Sequence, residues 1–126
     1  MKSQHKSMVA GLAILLAPML MSTTAVAAET LLTNKAGMTL YTFDKDSQGV
    51  SNCYDGCAVK WPPYMASKNA KVDDGFGVIK RKDGAEQWTY HGQPLYTWMG
   101  DKKKGDTNGD GLGGVWHVVK KAGYSY

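Results

Sequence analysis

The sequence predicts an all-β protein, a small domain of two pseudo-equivalent β-hairpin repeat units. The chain repeats part of itself at a spacing of 55 residues, and its aromatic and β-branched residues form short runs broken by glycine-containing turns. No stretch after residue 28 shows a convincing helical period of apolar residues. Because a domain of this size has little interior, its four tryptophans and many tyrosines must carry much of the burial.

Residues 1–28 are predicted to be a secretory signal peptide. They have a basic start with Lys2 and Lys6, continue with an apolar run over 9–21, and end in the small-residue pattern of Ala25 and Ala27. The apolar run is too short, and Pro18 lies too centrally in it, for a membrane span. We therefore expect an exported single domain over residues 29–126 that is not stably inserted in a membrane after cleavage.

The charge of the chain argues against two kinds of partner. The formal net charge of +4 falls to +2 when the two lysines of the signal peptide are removed. That bias is too weak to indicate binding to nucleic acid or to an anionic membrane. The lysine cluster at 102–104 is expected to be a solvated loop tip. We therefore predict no nucleic-acid partner.

An internal duplication appears when residues 37–61 are placed over residues 92–116. Eight of these 25 positions are identical without a gap, whereas average residue usage gives about one or two by chance. The identical pairs are Gly37/Gly92, Leu40/Leu95, Tyr41/Tyr96, Thr42/Thr97, Asp46/Asp101, Asp55/Asp110, Gly56/Gly111 and Trp61/Trp116. We therefore predict two repeats, at about 31–66 and 86–120.

Each predicted strand is a short run of aromatic and β-branched residues, and each predicted turn contains glycine. The predicted hairpins are 31–33 with 38–43, 77–81 with the run from 86 onward, and 87–90 with 94–98, and a further strand is expected at 115–119. The Asp83-Gly84 pair in the middle hairpin is an especially strong turn signal.

A Tyr-x-aromatic-x-x-Asp motif closes the second strand of each unit. It comprises Tyr41, Phe43 and Asp46 in the first unit and Tyr96, Trp98 and Asp101 in the second. The two aromatic residues share one face of a strand, and the aspartate follows in a loop. There its carboxylate can accept backbone N–H bonds and the proton of a neighbouring buried tyrosine. The tryptophan twenty residues after each tyrosine, Trp61 or Trp116, is expected to pack beneath it. We predict an architectural clamp, with a ligand site built from both aspartates as the alternative.

The two cysteines are expected to form a structural disulfide. An exported chain meets an oxidising compartment, so pairing of Cys53 with Cys57 is the default. A redox dithiol and a metal pair are the alternatives, but neither has its usual Cys-x-x-Cys spacing here.

Together these motifs resemble those of bacterial exported proteins and lipoproteins of a secreted-repeat family with a Tyr-x-(Phe/Trp/Tyr)-x-x-Asp motif. Further matching stretches are Cys53-x-x-x-Cys57-Ala58-x-x-Trp61-Pro62-Pro63, Trp88-Thr89-Tyr90-x-Gly92-x-Pro94-Leu95-Tyr96 and Gly113-Gly114-Val115-Trp116-His117-Val118-Val119. The resemblance covers essentially the whole mature chain and implies an exported protein whose function is largely unassigned. Many similar members are lipoproteins. Because no cysteine lies near the predicted cleavage site, the resemblance implies a soluble periplasmic or secreted form here.

Copper is one candidate metal. His91, His117 and Met99 offer imidazole and thioether ligands, which suit Cu(I), and copper is handled in the periplasm. These residues are not closely spaced in the sequence, so the pattern indicates a copper site only weakly.

Calcium is a weaker candidate. Asp106, Asn108 and Asp110 resemble the start of a calcium loop. The twelve-residue loop needs a glutamate at its last position, where this chain has His117. A turn inherited from the duplication is the simpler interpretation.

No catalytic motif stands in the sequence: it lacks a nucleophile elbow, a phosphate-binding glycine loop and a zinc signature. Asp46 and Asp101 could form a carboxylate pair for glycoside chemistry, but the small domain leaves little room for a cleft.

We therefore predict a non-enzymatic binding module of the cell envelope without a cofactor, whose partner is an envelope protein or a glycan. The alternative is a periplasmic copper-handling or redox-handling protein. Candidate recognition residues outside the clamp are Tyr54, Tyr64, Tyr124 and Tyr126.

Overall fold

The computed structural model describes residues 29–122. The predicted signal peptide, Tyr124 and Tyr126 lie outside the described residues. The elements in chain order are β1 Glu29–Leu31, β2 Tyr41–Phe43, α1 Gly56–Lys60, β3 Phe76–Lys80, β4 Glu86–Tyr90, β5 Gln93–Pro94, a 3-10 turn Leu112–Gly114, β6 Trp116–Val118 and β7 Lys120–Ala122. The all-β prediction is confirmed, since the helices within residues 29–122 are two short turns between strands.

The strands form three small antiparallel sheets. The strand β1 pairs with β7, β2 pairs with β6, and β3, β4 and β5 follow one another in the third sheet. In the β2–β6 pair, Phe43 lies opposite Trp116 and Tyr41 lies opposite Val118. This register joins the motif strand of the first repeat to the last strand of the second, so the two repeats share a sheet.

The predicted hairpins are present. In the first, the Leu40 N–H donates to the Leu32 carbonyl at 3.0 Å across a turn. In the third sheet, β4 and β5 are joined by His91 and Gly92, which have φ angles of 49° and 81°. A two-residue turn with positive φ at both positions matches the right-handed twist of its strands.

The two repeats meet at their motif tyrosines. The Tyr41 N–H donates to the Tyr96 carbonyl at 2.8 Å, and the Tyr96 N–H donates to the Tyr41 carbonyl at 3.0 Å. This is a hydrogen-bonded antiparallel pair between equivalent residues of the two copies. An approximate two-fold axis therefore passes between the tyrosines and relates the repeats.

Two apolar clusters lie on either side of this junction. The first, called the aromatic core below, contains Tyr41, Phe43, Cys53, Trp61, Tyr96, Trp98 and Trp116. The second contains the buried leucines Leu32, Leu40 and Leu95, against which the half-buried Tyr64, Phe76, Trp88 and Tyr90 pack. No helix between residues 29 and 122 has the length and apolar character needed to span a bilayer.

Candidate functional site

Four rings of the aromatic core form a continuous column. Phe43 stacks on Trp116 with ring centroids 4.2 Å apart, and Trp116 stacks on Trp61 at 3.7 Å and an interplanar angle of 3°. Trp98 continues the column from Trp61 at 4.2 Å. The order Phe43, Trp116, Trp61, Trp98 alternates between the repeats, so the column itself joins the two copies.

The motif tyrosines close the sides of this column. Tyr41 meets Trp61 edge-on at 5.3 Å, and Tyr96 meets Trp116 edge-on at 5.2 Å. Edge-to-face contacts of this kind are a preferred geometry because the ring edge is positive and the ring face is negative. Each tryptophan therefore packs against the tyrosine twenty residues before it, as the sequence predicted.

The tyrosine hydroxyls reach across the junction rather than back into their own repeat. The Tyr41 hydroxyl donates to Asp101 Oδ2 at 2.7 Å, and the Tyr96 hydroxyl donates to Asp46 Oδ2 at 2.7 Å. The aspartate of each motif thus satisfies the buried tyrosine of the other copy. This crossed pairing could not be read from the sequence, where each aspartate follows its own tyrosine by five residues.

The second oxygen of each carboxylate holds a loop. Asp46 Oδ1 accepts the Asn52 N–H at 2.7 Å, and Asp101 Oδ1 accepts the Asn108 N–H at 2.9 Å. Both oxygens of each aspartate are therefore engaged by the fold. This arrangement fixes the loop that follows each motif.

Burial dominates the electrostatics of the crossed pairs. It raises the pKa of Tyr41, and the hydrogen bond to Asp101 raises that pKa further. Burial also raises the pKa of Tyr96, with Asp46 adding to the increase. The pKa of Asp46 is likewise raised by burial, against the opposing effect of the Asn52 N–H. The hydroxyls therefore stay protonated donors well into the alkaline range.

A buried arginine, absent from the sequence-based candidates, fixes one side of the junction. Arg81 Nη1 donates to Ser51 Oγ at 2.9 Å and to Gln87 Oε1 at 2.8 Å, and Nη2 donates to the Cys53 carbonyl at 2.6 Å. Its guanidinium carbon lies 4.2 Å from the centre of the Tyr54 ring. The planar fork of donors thus attaches the β3–β4 hairpin to the cysteine segment of the first repeat.

One signal in the sequence could have found this residue. Arg81 is the only arginine among the 15 lysines and arginines of the chain. Lysine and arginine are not interchangeable where several hydrogen bonds must be made in one plane. A single arginine in a lysine-rich chain therefore indicates a position that needs this geometry.

The cysteines form the disulfide that the sequence predicted, with their Cα atoms 5.2 Å apart. Cys53 is fully buried against the aromatic core. The bond therefore links the core to the short helix α1.

The candidate copper ligands are all exposed. The His91 ring packs on Tyr90 at 4.2 Å, and His117 Nε2 lies 2.8 Å from Asp44 Oδ2. Met99 is 51% exposed. Among residues 29–122, no three His, Cys, Asp or Glu side chains are grouped so that they could hold a metal ion. A copper site that also uses methionine sulfur stays a prediction.

The acidic groups of the candidate calcium loop contact backbone amides. Asp106 Oδ2 accepts the N–H groups of Lys102 and Lys103 at 2.9 and 3.1 Å, and the Lys102 N–H in particular lowers the pKa of Asp106. Asp110 Oδ1 accepts the Val118 N–H at 3.1 Å. Calcium binding here stays a prediction.

A groove opens over the second cluster, where the linker between the repeats meets both of them. It consists of a depression of about 250 Å³ and an adjoining one of about 340 Å³. Its aromatic walls are Tyr64, Phe76 and Trp88, and its charged rim is Lys35, Lys71 and Asp73. Tyr64 was among the sequence candidates, whereas Phe76, Trp88 and the rim were not.

Strand alternation explains why aromatic side chains face this groove. Along β4 the buried Gln87 and Thr89 alternate with the half-buried Trp88 and Tyr90. The Trp88 N–H donates to the Tyr64 carbonyl at 2.8 Å, which sets the two side chains beside each other. The Trp88 ring centroid is 6.1 Å from that of Tyr64 and 6.0 Å from that of Phe76.

Asn34 lines both depressions and its Oδ1 accepts the Ala36 and Met38 N–H groups, whereas other polar groups of the groove make no such contact among the described residues. Within residues 29–122, no hydrogen bond or ion pair is made by the Tyr64 hydroxyl or by the side chains of Lys35, Lys71 and Asp73. The groove aromatics are also unrepeated, since Trp88 corresponds to Thr33 and Tyr64 to Val119 at the 55-residue spacing. The groove is therefore specific to one place in the molecule.

The fold and its junction define a two-repeat, all-β domain. Residues 23–65 and 77–120 match the model of a family described as a secreted repeat of unknown function, once for each repeat. Because these matches cover more than half of the chain, the protein belongs to that family. Neither the curated proteins nor the solved structures include a significant match. The resemblance noted from the sequence is thus confirmed, and membership of a secreted family fits an exported protein of unassigned function.

Proposed function

We propose that the protein is a non-enzymatic binding module of the bacterial cell envelope, and that its groove holds a saccharide chain. The observation that carries this proposal is the combination of three half-buried aromatic side chains with hydrogen-bonding groups that the fold leaves unused. Ligand sites typically combine apolar walls with a few placed polar groups. Tyr64, Phe76 and Trp88 form the walls, and the charged rim supplies donors and an acceptor.

A saccharide matches this surface better than a purely apolar ligand does. A sugar ring has one face of C–H groups, which packs on the negative face of an aromatic ring, and hydroxyls around its edge. Lys35 and Lys71 can donate to those hydroxyls, and Asp73 can accept from them. The two adjoining depressions share Tyr64 and Trp88 as walls, so successive sugars of one chain would contact the same pair of rings.

Isothermal titration with soluble oligosaccharides from peptidoglycan, lipopolysaccharide and neutral polysaccharides tests the proposal. At least one class should bind the wild-type protein, and Trp88→Ala should weaken that binding ~30-fold or more, as expected when an aromatic anchor worth about 2 kcal/mol is lost. Met99→Ala removes an exposed apolar side chain outside the groove and should leave the affinity unchanged.

Because Trp88 also packs on the leucine cluster, Lys71→Ala provides a second test on an exposed side chain. It should weaken binding several-fold without changing the far-UV circular dichroism. Binding that is equal in wild type, Trp88→Ala and Lys71→Ala would place the ligand elsewhere. Failure of every saccharide class, or a protein ligand in the same groove, would also overturn the proposal.

A further inference from the structure

The aromatic core has a geometry that its packing role does not require. Three tryptophan rings lie in a row in space, with centroid separations of 3.7 Å between Trp116 and Trp61 and 4.2 Å between Trp61 and Trp98. Each of the two inner indoles meets a tyrosine whose hydroxyl is hydrogen-bonded to a carboxylate. Indoles and phenols are the side chains most easily oxidised by one electron apart from thiols. The arrangement therefore joins electron donors to proton acceptors.

We infer that this column carries oxidising equivalents from the surface to the buried tyrosines. A one-electron oxidant of the radical or high-valent metal-complex class removes an electron from Trp98, the half-buried outer ring of the column. The electron vacancy passes to Trp61 and is shared with Trp116, because two nearly parallel rings at this distance spread the positive charge over both indoles. The column thus conducts in one direction, from the outside to the junction of the repeats.

The last step moves an electron and a proton together. Tyr41 gives one electron to the oxidised Trp61, and the phenol proton moves along the 2.7 Å hydrogen bond to Asp101. The products are a neutral Trp61, a neutral tyrosyl radical and a protonated carboxyl group, so charge and protons balance. Tyr96 and Asp46 perform the same step from Trp116. Because burial raises the tyrosine pKa values, loss of the proton before the electron is disfavoured.

Within the column, the single aromatic difference between the repeats leaves one entrance. Phe43 occupies the end opposite Trp98, at the equivalent position of the first repeat. A phenyl ring is much harder to oxidise than an indole, so the vacancy does not leave through that end. Phe43 also shows that a repeat can hold a phenylalanine at the position that Trp98 occupies in the other repeat.

Flash oxidation of the whole protein with photogenerated tris(bipyridine)ruthenium(III) tests the inference, with radicals identified by electron paramagnetic resonance. Wild type should give a neutral tyrosyl signal. Trp98→Phe should lose most of it, while Trp88→Phe, which changes a half-buried tryptophan outside the column, should retain it. In the Tyr41→Phe/Tyr96→Phe double variant the tyrosyl signal should be replaced by a longer-lived tryptophan radical.

Two outcomes would overturn the inference. Equal tyrosyl yields in Trp98→Phe and Trp88→Phe would mean that surface aromatics capture the oxidant without the column. A tyrosyl signal that persists in the double variant would place the radical on another tyrosine. A readout that depends on the proton acceptor separates chemistry from packing: Asp101→Asn should slow tyrosyl formation at Tyr41 and reduce its solvent isotope effect.

Discussion

The molecule contains two aromatic clusters that use the same residue types in opposite ways. In the aromatic core, the hydroxyls of Tyr41 and Tyr96 each donate to a carboxylate at 2.7 Å, and both side chains are fully buried. In the groove, Tyr64 is half-buried, and within the described part of the chain its hydroxyl has no partner. The core satisfies its own polar groups, whereas in the described part of the chain the groove leaves the Tyr64 hydroxyl and its charged rim available.

The two clusters also differ in whether their residues recur in both repeats. The core aromatics recur at the 55-residue spacing, with the single change of Phe43 to Trp98, and both aspartates recur with them. The groove aromatics do not recur. A residue set needed by both copies of a fold is retained in both, because each copy must bury the same surface. A set present once serves something that the symmetry does not demand, and this is why we place ligand binding in the groove.

The largest difference between the clusters should appear in stability. Trp61→Ala and Trp116→Ala each remove a buried ring from the middle of the column, and each should cost about 3–5 kcal/mol. The two costs should agree within about 1 kcal/mol, because each ring has one edge-on tyrosine and two ring neighbours along the column. Trp88→Ala should cost no more than about half as much, because that side chain is only half-buried.

Urea unfolding followed by far-UV circular dichroism measures all three variants. A domain of this size has about 5–15 kcal/mol of stability, so either core variant should be partly unfolded in water if the wild type lies at the low end. A cost for Trp88→Ala equal to that of Trp61→Ala would remove the distinction between a structural and a functional cluster.

A smaller effect should distinguish the two crossed pairs from each other. Asp101→Ala leaves the Tyr41 hydroxyl proton without an acceptor, because the remaining contact at 3.2 Å is the Gly109 N–H, which donates to it. The cost should be about 2–3 kcal/mol. Asp46→Ala should cost about 1 kcal/mol less, because Ser51 Oγ lies 2.6 Å from the Tyr96 hydroxyl and can accept instead.

The exposed Asp44→Ala variant is the control for this pair. Among the described residues the Asp44 carboxylate contacts the exposed His117, so its loss should change stability by less than about 0.5 kcal/mol. Denaturant midpoints at pH 7 provide the comparison. If Asp46→Ala lowers stability more than Asp101→Ala does, Ser51 does not replace Asp46 as the acceptor of the Tyr96 hydroxyl.

Local structure followed from the sequence because it depends on neighbouring residues. The turn at Gly92 needs a positive φ, and the alternation in β4 sets which side chains share a face. Both features are encoded within a few positions, so the hairpins and the loop-binding role of Asp46 and Asp101 could be predicted.

The packing of the two repeats against each other could not be predicted in this way. A duplication indicates that two copies share a fold, but it does not indicate how their surfaces meet. The contact of Tyr41 with Asp101 spans 60 residues, and the groove brings together Tyr64 and Trp88 from different repeats. Such contacts depend on the orientation of two units about an axis, for which no local pattern exists.

A last effect concerns the pH dependence of the core. The folded state raises the pKa of Tyr41 and Tyr96 above the usual value of 10. Above pH 10 the unfolded chain therefore loses these two protons while the folded protein keeps them, so stability falls as pH rises. Below pH 10 both states keep the protons and the contribution is constant. Between pH 10 and 11 each tyrosine should add about 1 kcal/mol to this alkaline loss, because only half of the unfolded tyrosines are ionised at pH 10.

Tyr41→Phe and Tyr96→Phe should each flatten the decline in unfolding free energy between pH 10 and 11, and the double variant should flatten it by the sum. Slopes are compared rather than absolute stabilities, because each phenylalanine also removes a hydrogen bond and lowers stability at neutral pH. Lysine ionisation contributes to every variant alike and cancels in the difference. A double variant with the wild-type slope would mean that the two hydroxyls are reached by hydroxide in the folded state, and the contrast between a closed core and an open groove would then be wrong.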